Sequence, residues 1–139
     1  MTDISDAAKL TDRVAALVEA AKKAGADAAD AVAVRGRSTG VSVRLGKVEA
    51  TEASESEDVA LRVFVGGRVA SVSATAASDP KTLAERAVSM ARVSPEDPYQ
   101  GLADPALLAK QTRDLDLFDA TEVSADQLKE AALAADTSV

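Results

Sequence analysis

The chain has 139 residues, of which 47% are hydrophobic but only 2% are aromatic, and its formal net charge is −7. This length fits one domain, or one domain with a tail, with a thin core of valine, leucine and alanine that leans on further sequence or on a partner. The acidic balance argues against sequence-independent nucleic-acid binding. Because histidine and cysteine are absent, this segment alone can build neither a tetrahedral zinc site nor histidine-dependent nucleophilic catalysis.

The sequence carries no sign of export or of membrane insertion. Its first residues lack the basic and apolar regions of a signal peptide, and no run of about 18 apolar residues occurs. The absence of cysteine is compatible with a reducing compartment. We therefore expect a cytoplasmic protein.

The first predicted element is an amphipathic helix over residues 6–24, and Asp3, Ser5 and Asp6 are all candidates for its N-cap. Apolar side chains recur in it at spacings of three and four, as on one face of a helix. They are Leu10, Val14, Leu17, Val18, Ala21 and Ala24.

A strand and a first hairpin are predicted next. Residues 30–38 are rich enough in valine to form a strand, which Gly36 weakens or bulges near its end. Residues 41–56 predict a hairpin that turns at the dipeptide Gly46-Lys47. In that register Arg44 lies opposite Glu49, and such an exposed pair indicates the register more than it adds stability.

The clearest pattern in the chain is a second hairpin, from Asp58 to Thr75. Apolar residues alternate along its first half, and Gly66-Gly67 supplies a turn whose two central residues need φ > 0. A slip of one residue would turn the apolar row to water, so the register should be firm. The predicted pairs are Val65 with Arg68, Phe64 with Val69, Val63 with Ala70, Arg62 with Ser71, Leu61 with Val72, Ala60 with Ser73 and Val59 with Ala74.

A second helix is predicted between Asp79, as N-cap, and Ser94, which precedes a proline and so avoids helical geometry. Pro80 takes the first helical position, where its missing N–H costs nothing. The predicted buried stripe consists of Leu83, Ala84, Ala87, Met90 and Ala91.

The periodicity fades after Pro95, where prolines and glycine predict a connector with at most a turn of helix at residues 106–110. Ser124 and Gln127 then form a capping box, and Val123 and Leu128 a hydrophobic staple, for a helix that runs to about Ala135. We expect that helix to be cut short before a further domain.

These elements predict an α/β (α+β) fold. Its order is helix, strand, two antiparallel β-hairpins and a helix packed on one sheet, followed by an extended linker and a C-terminal helix. We expect residues 1–98 to form an N-terminal α/β domain, and residues 99–139 to be a linker and the start of a following helical segment.

Three sets of residues are candidates for a functional site. The acidic run Glu49, Glu52, Glu55, Glu57 and Asp58 could supply oxygen ligands to Mg²⁺ or Ca²⁺, but a solvated strand is favoured because alternate residues point to opposite faces. Arginines on the strands could bind a phosphate or a carboxylate, but an exposed sheet face balanced by these acids is favoured. These are Arg35, Arg37, Arg44, Arg62 and Arg68.

The third candidate is the loop SPEDPYQGL, residues 94–102. It could recognise a partner through Tyr99. We favour the alternative, a proline-rich connector whose tyrosine packs back on the domain. The residues themselves therefore predict no set of catalytic side chains.

In their order along the chain and in their amino-acid sequence, four segments resemble the N-terminal region of the TldD/TldE family, also called TldD/PmbA or modulator of DNA gyrase proteins. They are TGVSVRLGKVEAT at residues 39–51, the hairpin at 59–75, the loop at 94–104 and DLDLFDATEVSADQ at 114–127. The last of these is more similar to the TldE/PmbA branch than to the TldD branch. The resemblance covers about residues 10–135.

This resemblance implies a cytoplasmic zinc metalloprotease complex. In the family, a TldD-type subunit carries zinc in a His-Glu-x-x-x-His motif and pairs with a TldE/PmbA subunit that lacks it. The complex trims unfolded peptides, including peptide-antibiotic precursors and an antitoxin. No residue here matches that motif, so no catalytic or metal-binding residue is assigned to this chain.

As its role in such a complex, we expect the segment to shape substrate access and assembly by taking extended peptide along a sheet edge. Arg35, Arg37 and Arg62 are then candidate contacts for acidic peptide segments. A stand-alone peptide- or protein-binding module is the alternative. A nucleic-acid binder is disfavoured by the acidic charge and the scarcity of aromatic residues.

Overall fold

In the computed structural model, residues 4–111, 113–117 and 119–137 are described. They form a three-stranded antiparallel sheet in the order β1-β2-β3 with helices, which confirms the predicted mixed α/β fold. The elements in chain order are α1 Ile4–Ala24, β1 Ala28–Arg44, β2 Lys47–Val65, β3 Arg68–Thr75, α2 Pro80–Val93, a 3₁₀ turn Pro105–Leu107 and α3 Ala125–Asp136.

The β2–β3 hairpin has the register that its alternating residues predict. Val65 pairs with Arg68 and Leu61 with Val72, and the pairing continues to Asp58 with Thr75. Gly66 and Gly67 connect the strands with φ of 55° and 70°. Both glycines therefore lie in the left-handed region that a tight hairpin turn of this kind requires.

The strands before this hairpin are longer than predicted. β1 joins the predicted segment 30–38 to residues 41–44 of the next predicted segment, and β2 joins 48–56 to the first strand of the main hairpin. Gly36 and Gly40 do not interrupt β1. Side chains of residues 35–56 are exposed or half-buried on both faces of the strands. The two-residue period of buried side chains that would reveal a continuous strand is therefore missing.

The turn between β1 and β2 is also displaced by one residue from the prediction. It lies at Leu45 and Gly46, with φ of 51° and 72°, instead of at Gly46-Lys47. Glycine at either central position permits a tight hairpin turn, so the dipeptide alone does not decide between the two. The predicted position of Arg44 directly opposite Glu49 shifts accordingly, although their side chains still form an ion pair at 3.6 Å.

The hydrophobic core lies between the sheet and the first two helices. α1 packs on α2, and α2 packs on β3. Leu61 and Val63 of β2 and Leu17 of α1 are at most 1% exposed. Four alanines with no exposed surface let the helices approach closely: Ala21, Ala84, Ala87 and Ala91.

The ends of α2 match the prediction, but its buried stripe differs at one position. Val88 is buried and Met90 is 41% exposed, where the prediction had Met90 inside. Each residue advances the helix by about 100°, which places Val88 and Met90 at similar angles on opposite sides of the stripe formed by Leu83, Ala84 and Ala91, so tertiary packing decides which side is covered. The start of α1 is also clearer, because Ser5 and Asp6 lie inside the helix, whereas Asp3 lies outside the described residues.

Asp79 caps α2 by accepting hydrogen bonds from the Thr82 backbone N–H at 2.8 Å and the Thr82 hydroxyl at 2.7 Å. These two bonds, and the one from the hydroxyl most strongly, lower the pKa of Asp79 below its ordinary value.

We expect Asp79→Ala to lower the melting temperature at neutral pH. The pKa of Asp79 is lower in the folded state than in the unfolded state. The stabilisation by its carboxylate is therefore complete above the unfolded-state pKa and is lost as pH falls through the folded-state pKa.

Thermal unfolding of both proteins at pH 7 and at about pH 2, below the ordinary carboxyl pKa, measures this loss. The difference between the wild type and Asp79→Ala should be larger at pH 7. An equal difference at the two pH values would contradict the capping role of the carboxylate.

Two compact units are distinguished by their internal contacts. The helix–sheet unit comprises Met1–Val34 and Glu57–Thr112, and the ribbon unit comprises Arg35–Ser56 and Arg113–Val139. All buried residues among those described belong to the helix–sheet unit. The expected boundary at residue 98 remains a prediction.

Within the ribbon unit, the strand segments form a polar two-stranded ribbon, and the described residues that precede α3 have no regular secondary structure. The capping box predicted at Ser124 and Gln127 is present in both directions. The Gly46 N–H in the turn of the ribbon donates to Asp136 Oδ2 at the end of α3, at 2.5 Å. Across the described residues of the whole chain, no helix is long and apolar enough to span a bilayer.

Candidate functional site

Two of the three candidate arginines lie on β1 and share one acidic partner. The distances to Glu55 Oε1 are 3.8 Å from Arg35 Nε and 3.4 Å from Arg37 Nη2. The Arg37 side chain remains 77% exposed. Exposed pairs of this kind contribute little stability, so a competing carboxylate can displace Glu55 at small cost.

Arg62 lies in the helix–sheet unit and is held more firmly. Its guanidinium donates two hydrogen bonds to the two carboxylate oxygens of Asp30, one of them from Nε at 3.0 Å. It also lies 5.3 Å from the centre of the Phe64 ring. The hydrogen bond to Asp30 raises the pKa of Arg62 above its ordinary value, so the side chain stays charged. Arg62 therefore already has a bidentate carboxylate partner on the sheet face away from the helices.

Two members of the acidic run form separate ion pairs. Glu49 pairs with Arg44, and Glu55 pairs with the arginines of β1. Among the described residues, no three carboxylates come together as a group that could hold a metal ion.

The loop after α2 is attached to the β2–β3 turn. The Asp97 N–H donates to the Gly67 carbonyl at 2.8 Å, and Arg68 Nε donates to the Ser94 carbonyl at 3.1 Å. Arg68 Nη2 also lies 3.4 Å from Glu96 Oε2. The β2–β3 turn at Gly66-Gly67 thus also anchors the loop after α2.

Tyr99 projects from the tip of the anchored loop. Asp97 shapes the tip, because its carboxylate accepts from the Tyr99 N–H at 2.9 Å and from Gln100 Nε2 at 3.2 Å. The Gln100 N–H closes the turn by donating to the Asp97 carbonyl at 3.1 Å. Tyr99 is 95% exposed, so the prediction that it packs back on the domain is wrong. An aspartate followed by proline is the sequence signal for this turn, and the turn directs the ring outward.

Within the described part of the chain the sheet also presents open edges, because β1 and β3 each have one neighbouring strand in the order β1-β2-β3. β1 is the longer of the two, with 17 residues and no proline. An edge strand of this kind offers backbone N–H and C=O groups to an extended peptide.

Comparison with known sequences identifies a family. Residues 29–91 match the family model described as PmbA/TldA metallopeptidase domain 1. The chain is 34% identical over 131 residues to a protein named metalloprotease PmbA homolog from Haemophilus influenzae, covering 92% of this chain and 29% of that protein. It is 38% identical over 105 residues to metalloprotease PmbA of Escherichia coli, covering 72% of this chain and 23% of that one. The chain therefore spans less than a third of these relatives.

Two solved structures share the fold. One, from Bacteroides thetaiotaomicron, is described as a candidate modulator of DNA gyrase and matches with a TM-score of 0.74 and 22% identity, over 86% of this chain and 27% of that one. The other is TldE from Thermococcus kodakarensis, with a TM-score of 0.67 and 20% identity, over 88% of this chain and 28% of that one.

A metallopeptidase family implies a metal, but the residues of this chain do not fit one. The sequence contains neither histidine nor cysteine, and the described carboxylates form no group of three. We therefore assign no metal ligand and no catalytic residue to this segment. By its matched residues and its named relatives, and in agreement with its fold, the chain belongs to the TldD/TldE/PmbA family.

Proposed function

We propose that this chain is the N-terminal, non-catalytic domain of a TldE/PmbA-type subunit in a cytoplasmic zinc metalloprotease complex that degrades or processes unfolded peptides. One observation carries the proposal. The chain matches the first domain of a metallopeptidase family, and the two named relatives that it matches over most of its length are PmbA proteins. In this proposal the zinc belongs to a TldD-type partner subunit.

The role that we propose for the segment is to shape substrate access. An extended peptide can pair with the free edge of β1 through backbone hydrogen bonds, which requires little sequence preference. Such pairing selects unfolded segments, because a folded protein rarely offers a free extended strand. Arg35 and Arg37 on β1, and Arg62 on β2, are weaker candidate contacts for acidic segments of the peptide.

The experiment compares the intact complex with one whose TldE/PmbA-type subunit lacks residues 1–98. The full-length subunit, mixed with a TldD-type subunit, should cleave an unfolded peptide in a zinc-dependent manner and leave a folded protein intact. We expect the deletion to weaken assembly or to abolish this discrimination. If neither changes, the domain is only structural. If the intact pair cleaves no peptide, a stand-alone binding module becomes the better assignment.

A pair of proline variants makes the test specific to the sheet edge. Successive residues of β1 direct their N–H groups alternately towards β2 and away from the sheet, so Val34→Pro and Arg35→Pro remove groups of opposite direction. One variant should lower the melting temperature, while the other stays folded and cleaves unfolded peptide more slowly. Arg35→Ala controls for loss of the guanidinium. Wild-type cleavage by the folded proline variant would contradict the edge mechanism.

A further inference from the structure

The segment 93–108 of the helix–sheet unit displays large apolar side chains to solvent. They are Val93, Tyr99, Leu102, Leu107 and Leu108, each at least 48% exposed. Scattered apolar residues are common on protein surfaces, but here five occur within one short stretch of chain. Tyr99 is the only tyrosine of the chain, and its side chain is the most exposed of the five.

The apolar side chains stand on backbone whose shape is held by hydrogen bonds. Asp97 shapes the tip under Tyr99, and the loop is tied to Gly67 and Arg68 as described above. Further along, Asp104 accepts from the Ala106 N–H at 2.8 Å and so caps the 3₁₀ turn that carries Leu107. A surface ordered before binding loses less conformational entropy when a partner docks.

The charge of the segment defines what kind of surface it fits. Residues 93–108 contain Glu96, Asp97 and Asp104 and no basic residue, and Arg68 pairs with Glu96 from outside the segment. A complementary partner therefore offers an apolar pocket for the tyrosine ring with basic side chains around it. Nucleic acid and anionic lipid would be repelled by these carboxylates.

We propose that segment 93–108 is a docking surface for the TldD-type subunit, with the Tyr99 ring as its anchor. The identity of this partner rests on the proposed function. An exposed ring at the tip of a fixed loop suits a preformed pocket on a folded protein better than a flexible peptide. Aromatic anchors of this type typically dominate the energetics of protein interfaces.

The test measures binding of the full-length TldE/PmbA-type protein to its purified TldD-type subunit by titration calorimetry. Tyr99→Ala should weaken binding by about 10-fold or more, as truncating an aromatic anchor typically does. Tyr99→Phe, which keeps the ring, should lose much less. Val32→Ala, on the exposed sheet face, is the control and should bind as the wild type does. Raising the salt concentration should weaken wild-type binding, because the basic groups of the partner then attract the carboxylates of the segment less strongly.

Each outcome decides between the proposals. Equal binding by the wild type and Tyr99→Ala overturns the docking surface but leaves the proposed function intact. A wild type that does not bind the TldD-type subunit overturns both. A melting temperature lowered by Tyr99→Ala in the isolated full-length protein also overturns the docking surface, because the ring would then pack within its own chain.

Discussion

Replacing Leu61 by alanine is expected to lower the free energy of unfolding by about 2–5 kcal/mol. Leu61 lies in the C-terminal half of β2, is 1% exposed, and belongs to the core cluster between the sheet and the helices. The loss combines the removed apolar surface with the cavity that remains, and the surrounding alanines have short side chains that fill little of it. Because a domain of this size is stable by only about 5–15 kcal/mol, the variant should unfold at clearly lower urea concentration.

Leu107→Ala is the matched control, since it removes the same atoms from a side chain that is 82% exposed. Its free energy of unfolding should lie within about 0.5 kcal/mol of the wild-type value. Urea titrations followed by circular dichroism measure both. If both variants lose the same stability, the assignment of Leu61 to the core is wrong.

The second large effect is expected at the β2–β3 turn. Gly66→Val and Gly67→Val should each destabilise the chain by about 1–2 kcal/mol or more, because a β-branched residue is forced into the left-handed region. Gly67→Val should be the worse of the two. A Cβ at position 67 would lie 3.3 Å from Glu96 Cγ, whereas a Cβ at position 66 meets nothing closer than Arg68 Nη1 at 3.7 Å.

Gly46→Val separates the two causes. Gly46 also has a positive φ, of 72°, but nothing lies within 4 Å of an added Cβ. This variant therefore carries the backbone strain without the contact to the loop. Melting temperatures measure the series, and unchanged values for both Gly66→Val and Gly67→Val would refute the turn and with it the register of the hairpin.

The position of an element is predicted best where its turn or cap residues and its pattern of buried side chains indicate the same position. The β2–β3 register follows from the alternation of Val59, Leu61 and Val63 together with a turn that needs two glycines. The start of α2 follows in the same way from Asp79 and Pro80, whose capping chemistry allows one position only.

Prediction fails where these constraints are missing. The ribbon has no buried residue among those described, so nothing in its side chains reveals that β1 and β2 are continuous or that the turn includes Leu45. Val88 and Met90 are equally apolar, and only the position of the sheet decides which of them is covered.

The candidate site is predicted less completely than the fold. The sequence shows which arginines lie on strands, but it does not show that Arg62 is paired with Asp30, a residue 32 positions away. For Tyr99, the sequence favours a proline-rich connector whose tyrosine packs back on the domain, which is wrong because the ring is 95% exposed. Hydrogen bonds made by Asp97 direct it outward instead.

Because none of the described residues of the ribbon unit is buried, its backbone should open on a faster timescale than the core. Amide hydrogens of residues 35–44 and 47–56 are held by strand pairing without a packed core, so they can exchange with solvent through local opening. Further along β2, the amides of Leu61 and Val63 carry buried side chains and exchange only when the core itself opens. Deuterium uptake should therefore be fast in one half of β2 and slow in the other.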